Sequence, residues 1–343
     1  MKTTRTKPTY HEISQKTGIS PATISRVLNN TANVSSPTRE KVFEAIASMG
    51  FDITRLAKRR EKSDLLLLNI PSFGNPFYAR IIDGARDSAL RNGYSLLVSE
   101  NELDDKNDVD NFLSLVGKTK SAGVIITNSL SLETLLRIDH AVPVVQCCEC
   151  RDDSNVPFVT IDDLTAARSA VEHLISLGKR KIAFINGPLA YKYARDRLNG
   201  YRSALLAASL PVDVEWIIQL GEINYDMALS AAYQMLNSED RPDGFFTSSD
   251  VYAAAVVKAA KRAGLRVPED VAVVGFDNIE ISSMCTPSIT TVSQPRYQMG
   301  LLSCDLLCER ISSTSLPLKN MYLETELIVR ESTTRAMRTP VRH

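Results

Sequence analysis

The sequence contains no run of about 20 consecutive apolar residues, the length that a transmembrane α-helix requires. Its basic first residues are not followed by the apolar segment of a secretory signal. Both absences argue against a membrane-spanning or exported protein, so we expect a cytoplasmic one. With 343 residues, 44% of them hydrophobic, the chain is long enough for two or three domains with sizeable cores.

Motifs of common catalytic sites are also lacking. There is no GxGxxG motif, no P-loop and no GxSxG motif, and the four histidines are not grouped with cysteines. The sequence therefore predicts neither an enzyme nor a bound cofactor. Three of the six cysteines lie in the segment CCEC at residues 147–150, which continues an apolar strand with no histidine near it. We expect free thiols in that segment rather than a metal site.

The formal net charge of zero hides an uneven distribution along the chain. Residues 1–62 contain 12 Lys and Arg against 5 Asp and Glu, a net charge of +7. The remaining 281 residues contain 28 and 35, a net charge of −7. A basic N-terminal part on an acidic body is typical of a nucleic-acid-binding module attached to a second domain, with a merely solvated basic terminus as the alternative.

The segment 9–30, TYHEISQKTGISPATISRVLNN, has the pattern of two short helices joined by a tight turn. Thr9 is a suitable N-cap for the first helix, and Gly18 can take the left-handed conformation that ends it. Ser20 can cap the second helix, with Pro21 at its first position. This pattern predicts a helix-turn-helix, whose second helix lies in the major groove of DNA, although an ordinary helical hairpin is the alternative.

A third helix and a linker are predicted after these two helices. The segment SPTREKVFEAIASMGF starts with Ser36 as a possible cap and Pro37 at its first turn, and its apolar residues recur at helical spacing. Residues 51–62 hold more Lys and Arg than Asp and Glu, and so short a segment is marginal as an isolated helix. DNA is a suitable partner for the charge of this linker.

From Asp64 onward, short apolar strands alternate with amphipathic helices. This alternation predicts parallel sheets that are covered by helices on both faces. The length of the region favours two lobes, with a ligand bound between them at the carboxyl ends of the strands. The predicted strands cover 65–70, 94–99, 123–127, 142–146, 181–185, 244–247 and 271–276, and the predicted helices cover 77–92, 164–177, 190–207, 225–237 and 251–263.

Several segments, in chain order, resemble the lac/galactose repressor family of bacterial transcription regulators. They include GISPATISRVLNN, NPFYARIIDGA, HLISLGKRKIAFINGP and VPEDVAVVGFDN, and they span roughly residues 9–333. The segments IDDLTAA and ETELIVREST look most similar to the cytidine-repressor branch. The resemblance implies an N-terminal all-α helix-turn-helix head and an α/β, two-lobed, periplasmic-binding-protein-like effector domain. The implied boundaries are 1–50 for the head, 51–62 for the hinge, 63–333 for the effector and dimerisation domain and 334–343 for a polar tail, with lobe 1 at about 63–162 plus 294–325 and lobe 2 at about 163–293.

The resemblance also implies a function. A homodimer would bind pseudo-palindromic, double-stranded operator DNA as a repressor, associated with the nucleoid. A sugar or nucleoside between the lobes would control its operator affinity: the branch resemblance implies a nucleoside, and the family as a whole implies a sugar or sugar phosphate. An activator, or a co-regulator acting with another transcription factor, is the alternative. A solute-binding protein for transport would need an export signal and no DNA-binding head. The polar C-terminal residues show no leucine heptad repeat, which favours a dimer over a tetramer.

The resemblance places the DNA contacts in the second helix, just before the first helix and in the linker. Arg26 suits a bidentate contact with a guanine edge, and a phosphate contact or a solvated charge is the alternative. Pro21 and Ala22 can touch a thymine methyl group but donate no hydrogen bond to a base. The expected DNA-binding residues are Thr9, Ser20, Pro21, Ala22, Thr23, Ser25, Arg26, Asn29, Arg55, Lys58, Arg59 and Arg60.

The linker departs from the family pattern. Ile53 and Thr54 replace the usual Pro-Asn, and Arg60 occupies the position of the leucine that wedges into the minor groove. An apolar wedge kinks DNA by unstacking bases, whereas arginine prefers a narrow, electronegative groove. We therefore expect weaker operator bending, or a hinge that does not fold in the family manner. A permuted-site gel shift measures the bend angle, and a strong central kink would contradict this expectation.

The resemblance also identifies candidate residues for the effector cleft. Arg197 and Asp277 suit charge-assisted bonds to hydroxyl groups or to a base edge, although Asp277 could instead cap a turn. Phe77 and Tyr78 offer faces for stacking, with packing at a helix start as the alternative. The expected effector-binding residues are Phe77, Tyr78, Asp163, Arg197, Ile223, Ser249, Asp250 and Asp277, and no metal site is expected.

Overall fold

The structure is a computed structural model of the chain, and it describes residues 9–29, 34–49, 64–312 and 319–334. The chain divides into two compact units, Met1–Ser63 and Asp64–His343. No helix within the described ranges is both long enough and apolar enough to span a bilayer.

The first unit contains the three predicted helices, α1 (Tyr10–Thr17), α2 (Pro21–Asn29) and α3 (Ser36–Ser48). Thr9 caps α1 in a capping box, in which its hydroxyl accepts the Glu12 N–H and its own N–H donates to the Glu12 carboxylate at 2.6 Å. Gly18 ends α1 in the left-handed region at φ 69°, as the sequence predicts. The N-cap of α3 is Ser35 rather than Ser36, because helical geometry already begins at Ser36.

A small apolar core holds these helices together. Its members come from all three helices, so none of the helices is stabilised by its own hydrogen bonds alone. Ile24 and Val27 of α2 are buried in this core, which fixes the opposite face of α2 toward solvent. The buried members are Ile13, Ile24, Val27, Val42 and Ile46.

The second unit is built on two six-stranded sheets, each forming one lobe. The first sheet is parallel throughout and has the order β11-β5-β4-β3-β1-β2. Its strands are β1 (Leu65–Ile70), β2 (Ser95–Glu100), β3 (Gly123–Ile126), β4 (Val144–Cys147), β5 (Phe158–Ile161) and β11 (Asn320–Leu323). The second sheet has the order β12-β10-β9-β8-β6-β7, with β6 (Ile182–Asn186), β7 (Ile217–Gln219), β8 (Gly244–Thr247), β9 (Ala272–Asp277), β10 (Thr290–Ser293) and β12 (Glu326–Ile328).

Helices cover both faces of each sheet. The helices that start at the cleft between the lobes matter most for the site, because their first turns point their N–H groups at it. In the first lobe the helices are α4 (Ala79–Arg91), preceded by a 3-10 turn at Pro76–Tyr78, then α5 (Lys106–Thr119), α6 (Leu132–Ala141) and α12 (Arg296–Ser312). In the second lobe they are α7 (Asp163–Ser176), α8 (Lys192–Ala207), α9 (Tyr225–Leu236), α10 (Asp250–Arg262) and α11 (Glu280–Met284).

The chain passes between the two sheets at three places, which are Asp162, residues 294–295 and residues 324–325. Each crossing follows the carboxyl end of a strand, so all three lie at the end of the sheets where the parallel strands finish. A strand that enters the second sheet from this end must run antiparallel to the others. This explains why β12 is antiparallel to β10, whereas the sequence predicts parallel sheets only.

Two glycines allow α4 and α12 to touch backbone to backbone. A Cβ on Gly300 would collide with the Ile81 carbonyl oxygen, and one on Gly84 would collide with the carbonyl oxygen of Tyr297. Glycine is therefore required at both positions by close approach rather than by backbone conformation. This contact packs α12 firmly against α4 on one face of the first sheet.

Candidate functional site

The exposed face of α2 is the candidate DNA-binding surface of the first unit. Ala22 and Arg26 lie four residues apart, one above the other, and both are exposed. Ser20 precedes the helix, and its hydroxyl accepts the Thr23 N–H at 3.2 Å and lies 2.9 Å from the Thr23 hydroxyl. These two hydroxyl groups thus order the start of α2.

The remaining predicted DNA-binding residues are distributed as follows. Thr9 is exposed and serves as the cap of α1, Pro21 is exposed at the start of α2, and Ser25 is half-buried. Asn29 is the last residue of α2. The linker lies outside the described residues, so the contacts predicted for it stay predictions. This applies to Ile53 and Thr54 and to the predicted DNA-binding residues Arg55, Lys58, Arg59 and Arg60.

The second unit encloses a cavity of about 320 Å³ between its two lobes, at the carboxyl ends of the strands. This is the position at which open α/β folds bind ligands. Seven of the eight predicted effector residues line the cavity, namely Phe77, Tyr78, Asp163, Arg197, Ile223, Ser249 and Asp277.

Arg197 of α8 is the centre of the polar network in this cavity. Its Nε donates to Asp163 Oδ1 at 2.8 Å, and its Nη1 donates to the Ser248 carbonyl oxygen at 2.7 Å and lies 3.6 Å from Asp277 Oδ1. The Phe276 ring lies 3.5 Å from the guanidinium carbon, and the Tyr193 ring lies 4.7 Å from it. Arginine suits this position because it can donate in several fixed directions while it stacks on rings.

The carboxylates around Arg197 are held in an unusual electrostatic state. Burial raises the pKa of Asp277 to about 6, although Arg197 and Arg296 act against the rise. Burial also raises the pKa of Asp163, against the opposing charge of Arg197. Perturbed carboxyl groups in a cleft are typical of a site that is completed by a ligand.

Asp277 also has an unusual backbone. Its φ is 103°, in the region that favours glycine, and the next residue, Asn278, has a φ of 51°. Gln294 holds the Asp277 side chain, since its Nε2 donates to Asp277 Oδ1 at 2.7 Å. Backbone strain of about 1–3 kcal/mol is often retained where it aims a side chain at a functional site.

Asp250 is the predicted effector residue that the structure does not bring to the cavity lining. Its side chain is fully buried behind the cavity, where Oδ2 accepts the Ile279 N–H at 2.8 Å. The neighbouring Ser248 and Ser249 line the cavity instead. The first turn of α10 points Asp250 inward, toward β9 and the loop after it, so the structure supports a positioning role for it.

Glu149 is a site residue that the sequence analysis missed. It follows β4 in the first lobe, and its carboxylate accepts the N–H groups of Lys192 at 2.7 Å and Tyr193 at 3.1 Å, in the first turn of α8 in the second lobe. The residue before α8, Tyr191, supplies no side-chain cap of its own. Glu149 therefore caps a helix of the opposite lobe, across the cleft.

Burial raises the pKa of Glu149 to about 7, although the two N–H donors act against the rise. Sequence reasoning had no signal for this residue, because its partners are about 43 positions away in the chain. Tyr191, Tyr193 and Gln294 also line the cavity and are absent from the predicted effector residues. No group of three or more potential ligands for a metal ion is found in the described ranges.

A helix-turn-helix in one unit and a ligand-sized cavity between two lobes in the other define the class of ligand-binding transcription regulators. Comparison with protein families agrees with that class. Residues 9–52 match "Bacterial regulatory proteins, lacI family", and residues 171–333 match "Periplasmic binding protein-like domain".

Individual relatives match over almost the whole chain. The HTH-type transcriptional repressor CytR of Escherichia coli (strain K12) is 32% identical over 333 residues, which cover 96% of this chain and 97% of that protein. A structure described as the transcriptional regulator CelR–cellobiose complex is 31% identical, with a TM-score of 0.72, and the match covers 95% and 99% of the two chains. The lac repressor dimer bound to operator and the anti-inducer ONPF is 27% identical, with a TM-score of 0.75 and coverage of 96% and 99%. The chain therefore belongs to the lacI family of bacterial regulatory proteins.

Proposed function

We propose that this family member is a repressor whose affinity for operator DNA is set by a small molecule in the cleft between its lobes. The observation that carries the proposal is the seven predicted effector residues gathered around one cavity in a chain that also carries the family's helix-turn-helix. The exposed Arg26 on α2 supports base contacts in the major groove.

Further parts of the proposal draw on the relatives. The lac repressor structure contains a dimer on operator DNA, and the CelR structure contains cellobiose. By analogy we propose a homodimer, a pseudo-palindromic operator and a sugar or nucleoside as effector. We also propose that the regulator acts in the cytoplasm, on the nucleoid, and catalyses no reaction, since its relatives are described as transcription regulators.

The test is a fluorescence anisotropy titration of the full chain on genomic duplexes, at 50 mM and 200 mM salt. We expect specific binding that weakens by more than tenfold at the higher salt, because lysine and arginine contacts to phosphate release counterions. Light scattering on the same sample should report a dimer. Sugars and nucleosides are then added one at a time, and at least one should change the operator affinity. Salt-insensitive binding, or affinity that no metabolite changes, would refute the proposal.

A further inference from the structure

The charges that line the effector cavity are strongly unbalanced. Among the described residues, five carboxylates line it against one guanidinium and no lysine. Two of the carboxylates, Glu102 and Glu222, are exposed at the rim. The other three are buried, which gives them little screening by water. The five carboxylates are Glu102, Glu149, Asp163, Glu222 and Asp277.

The single guanidinium in the cavity is not available to clamp an anion. Arg197 is ion-paired with Asp163 and lies 3.6 Å from Asp277, and its faces are covered by Phe276 and Tyr193. A phosphate would have to compete with two buried carboxylates for the same donors. The nearest further cations are also engaged, since Arg296 donates to two backbone carbonyl oxygens and Lys192 pairs with Asp196 at 2.5 Å.

Acidic side chains also lie in the first turn or at the cap of three helices that start at the cleft. Helix N-termini are the usual binding sites for phosphate, because their N–H groups are free and the helix dipole favours negative charge. Here the N–H groups that start α8 donate to Glu149. Helix α7 begins with Asp163 and is capped by Asp162, and helix α10 begins with Asp250 and is capped by Ser249. At α7 and α8, protein carboxylates thus already accept N–H groups that a phosphate would bind, and at α10 the Ser249 hydroxyl does so, with Asp250 beside it.

The polar atoms that remain free in the cavity call for a donor on the ligand. Asp163 and Asp277 both bind Arg197 through Oδ1, and within the described residues their Oδ2 atoms accept no hydrogen bond. Ser248 also belongs to the cavity lining, and its buried hydroxyl has no hydrogen-bond partner in the described part of the chain. A buried, unpartnered hydroxyl is costly, so a hydrogen bond between this group and a ligand would stabilise the complex.

We propose that the cleft binds a ligand that carries a cationic amino group and no phosphate group, such as an amino sugar. The amino group donates to the free oxygens of Asp163 and Asp277, and the uneven charge of the cavity repels phosphorylated forms of the same skeleton. This assignment rests on the proposed function only in taking the cavity as the effector site.

The experiment uses matched sets of compounds that share one skeleton. Isothermal titration calorimetry on the full chain, at pH 7.5 and low salt, compares glucose, glucosamine and glucose 6-phosphate. The same comparison is repeated with other hexoses and pentoses and their amino and phosphate forms. We expect an amino member to bind at least tenfold tighter than its parent, and the phosphate members not to bind. Binding of a phosphate member, or a panel in which no amino member binds better than its parent, overturns the proposal.

Two variants separate the charge of the cavity from general folding effects. Asp163→Asn keeps the size of the side chain and an acceptor for Arg197, and it should reduce the tenfold preference for the amino member to less than threefold. Because a buried change can impair folding, Glu102→Gln at the exposed rim serves as a second variant and should reduce the preference about twofold. Glu239→Gln, exposed and remote from the cavity, is the matched control and should change nothing. Unchanged preference in both cavity variants overturns the proposal.

Operator binding, measured on the same protein, reports on the proposed function separately. A chain that binds operator and responds to a phosphorylated sugar would keep the proposed function and lose this inference. A chain that binds an amino compound but no DNA would keep this inference and lose the proposed function.

Discussion

Replacing Glu149 with glutamine tests the balance between desolvation and helix capping in the cleft. The carboxylate is buried between the lobes, and its pKa is raised from 4.5 to about 7 despite two N–H donors. Folding therefore takes up a proton at this site. Proton uptake by Glu149 therefore contributes to the free energy of unfolding. This contribution is complete below about pH 4.5 and is lost as the pH rises through about 7.

The size of the effect follows from the shift in pKa. A rise of about 2.5 units, at about 1.4 kcal/mol per unit, corresponds to about 3 kcal/mol, of which part is lost to local relaxation. Glutamine is uncharged like protonated glutamic acid, but its amide nitrogen cannot accept one of the two N–H groups, which costs about 1 kcal/mol. We therefore expect Glu149→Gln to be about 1 kcal/mol less stable than the parent protein near pH 5 and to exceed it by about 1–2 kcal/mol at pH 8.5.

Urea denaturation of both proteins between pH 5 and 8.5, without ligand, measures this difference. Other titrating groups cancel, because they are present in both proteins, and Glu239→Gln provides an exposed control. A variant that is less stable than the parent at pH 8.5 would refute the reasoning. In that case the hydrogen bonds that the first turn of α8 donates to the carboxylate would outweigh the cost of burying it, and the ionised form of Glu149 would be the stabilising one.

Three further substitutions test other parts of the molecule. Arg26→Ala should weaken operator binding by about 1–3 kcal/mol and relax preference at one base pair, and equal loss on cognate and random duplexes in an anisotropy titration would reassign Arg26 to a phosphate contact. Gly300→Ala should lower the melting temperature, at a cost of about 1–3 kcal/mol from the collision with α4, whereas Gly117→Ala in α5, which has open space, should be neutral or slightly stabilising in the same thermal melt. Arg197→Met should cost about 3–5 kcal/mol in urea denaturation, because it leaves Asp163 buried and unpaired, and a loss below 1 kcal/mol would show that water reaches the carboxylate.

Much of the architecture follows from local sequence signals. Thr9, Gly18 and Pro21 mark the helix ends of the first unit, and the structure places them as predicted. The buried strands were also recognisable, because a strand covered on both faces must be apolar along its whole length. Seven cavity residues could be identified because their family motifs lie directly at the carboxyl ends of strands or the starts of helices.

The features that could not be predicted from the sequence depend on how distant segments of the chain are placed relative to one another. Glu149 acts through N–H groups of a helix in the other lobe, and no local pattern encodes such a pairing. Asp250 directly follows Ser248 and Ser249 in the sequence, yet its side chain faces Ile279 rather than the cavity. The direction of each side chain depends on how the first turn of α10 is rotated. The antiparallel direction of β12 likewise depends on the chain entering the second sheet at the carboxyl ends of the other strands.

The three passages of the chain between the sheets have a consequence for protein synthesis. Strands β11 and β12 complete the first and the second sheet, yet they leave the ribosome after the other strands of the described residues. Until residues 320–328 emerge, the nascent chain carries one unpaired strand edge on β5 and another on β10, and such edges invite association with other chains. A stop codon shortly before Asn320 should therefore yield aggregated material rather than one folded lobe.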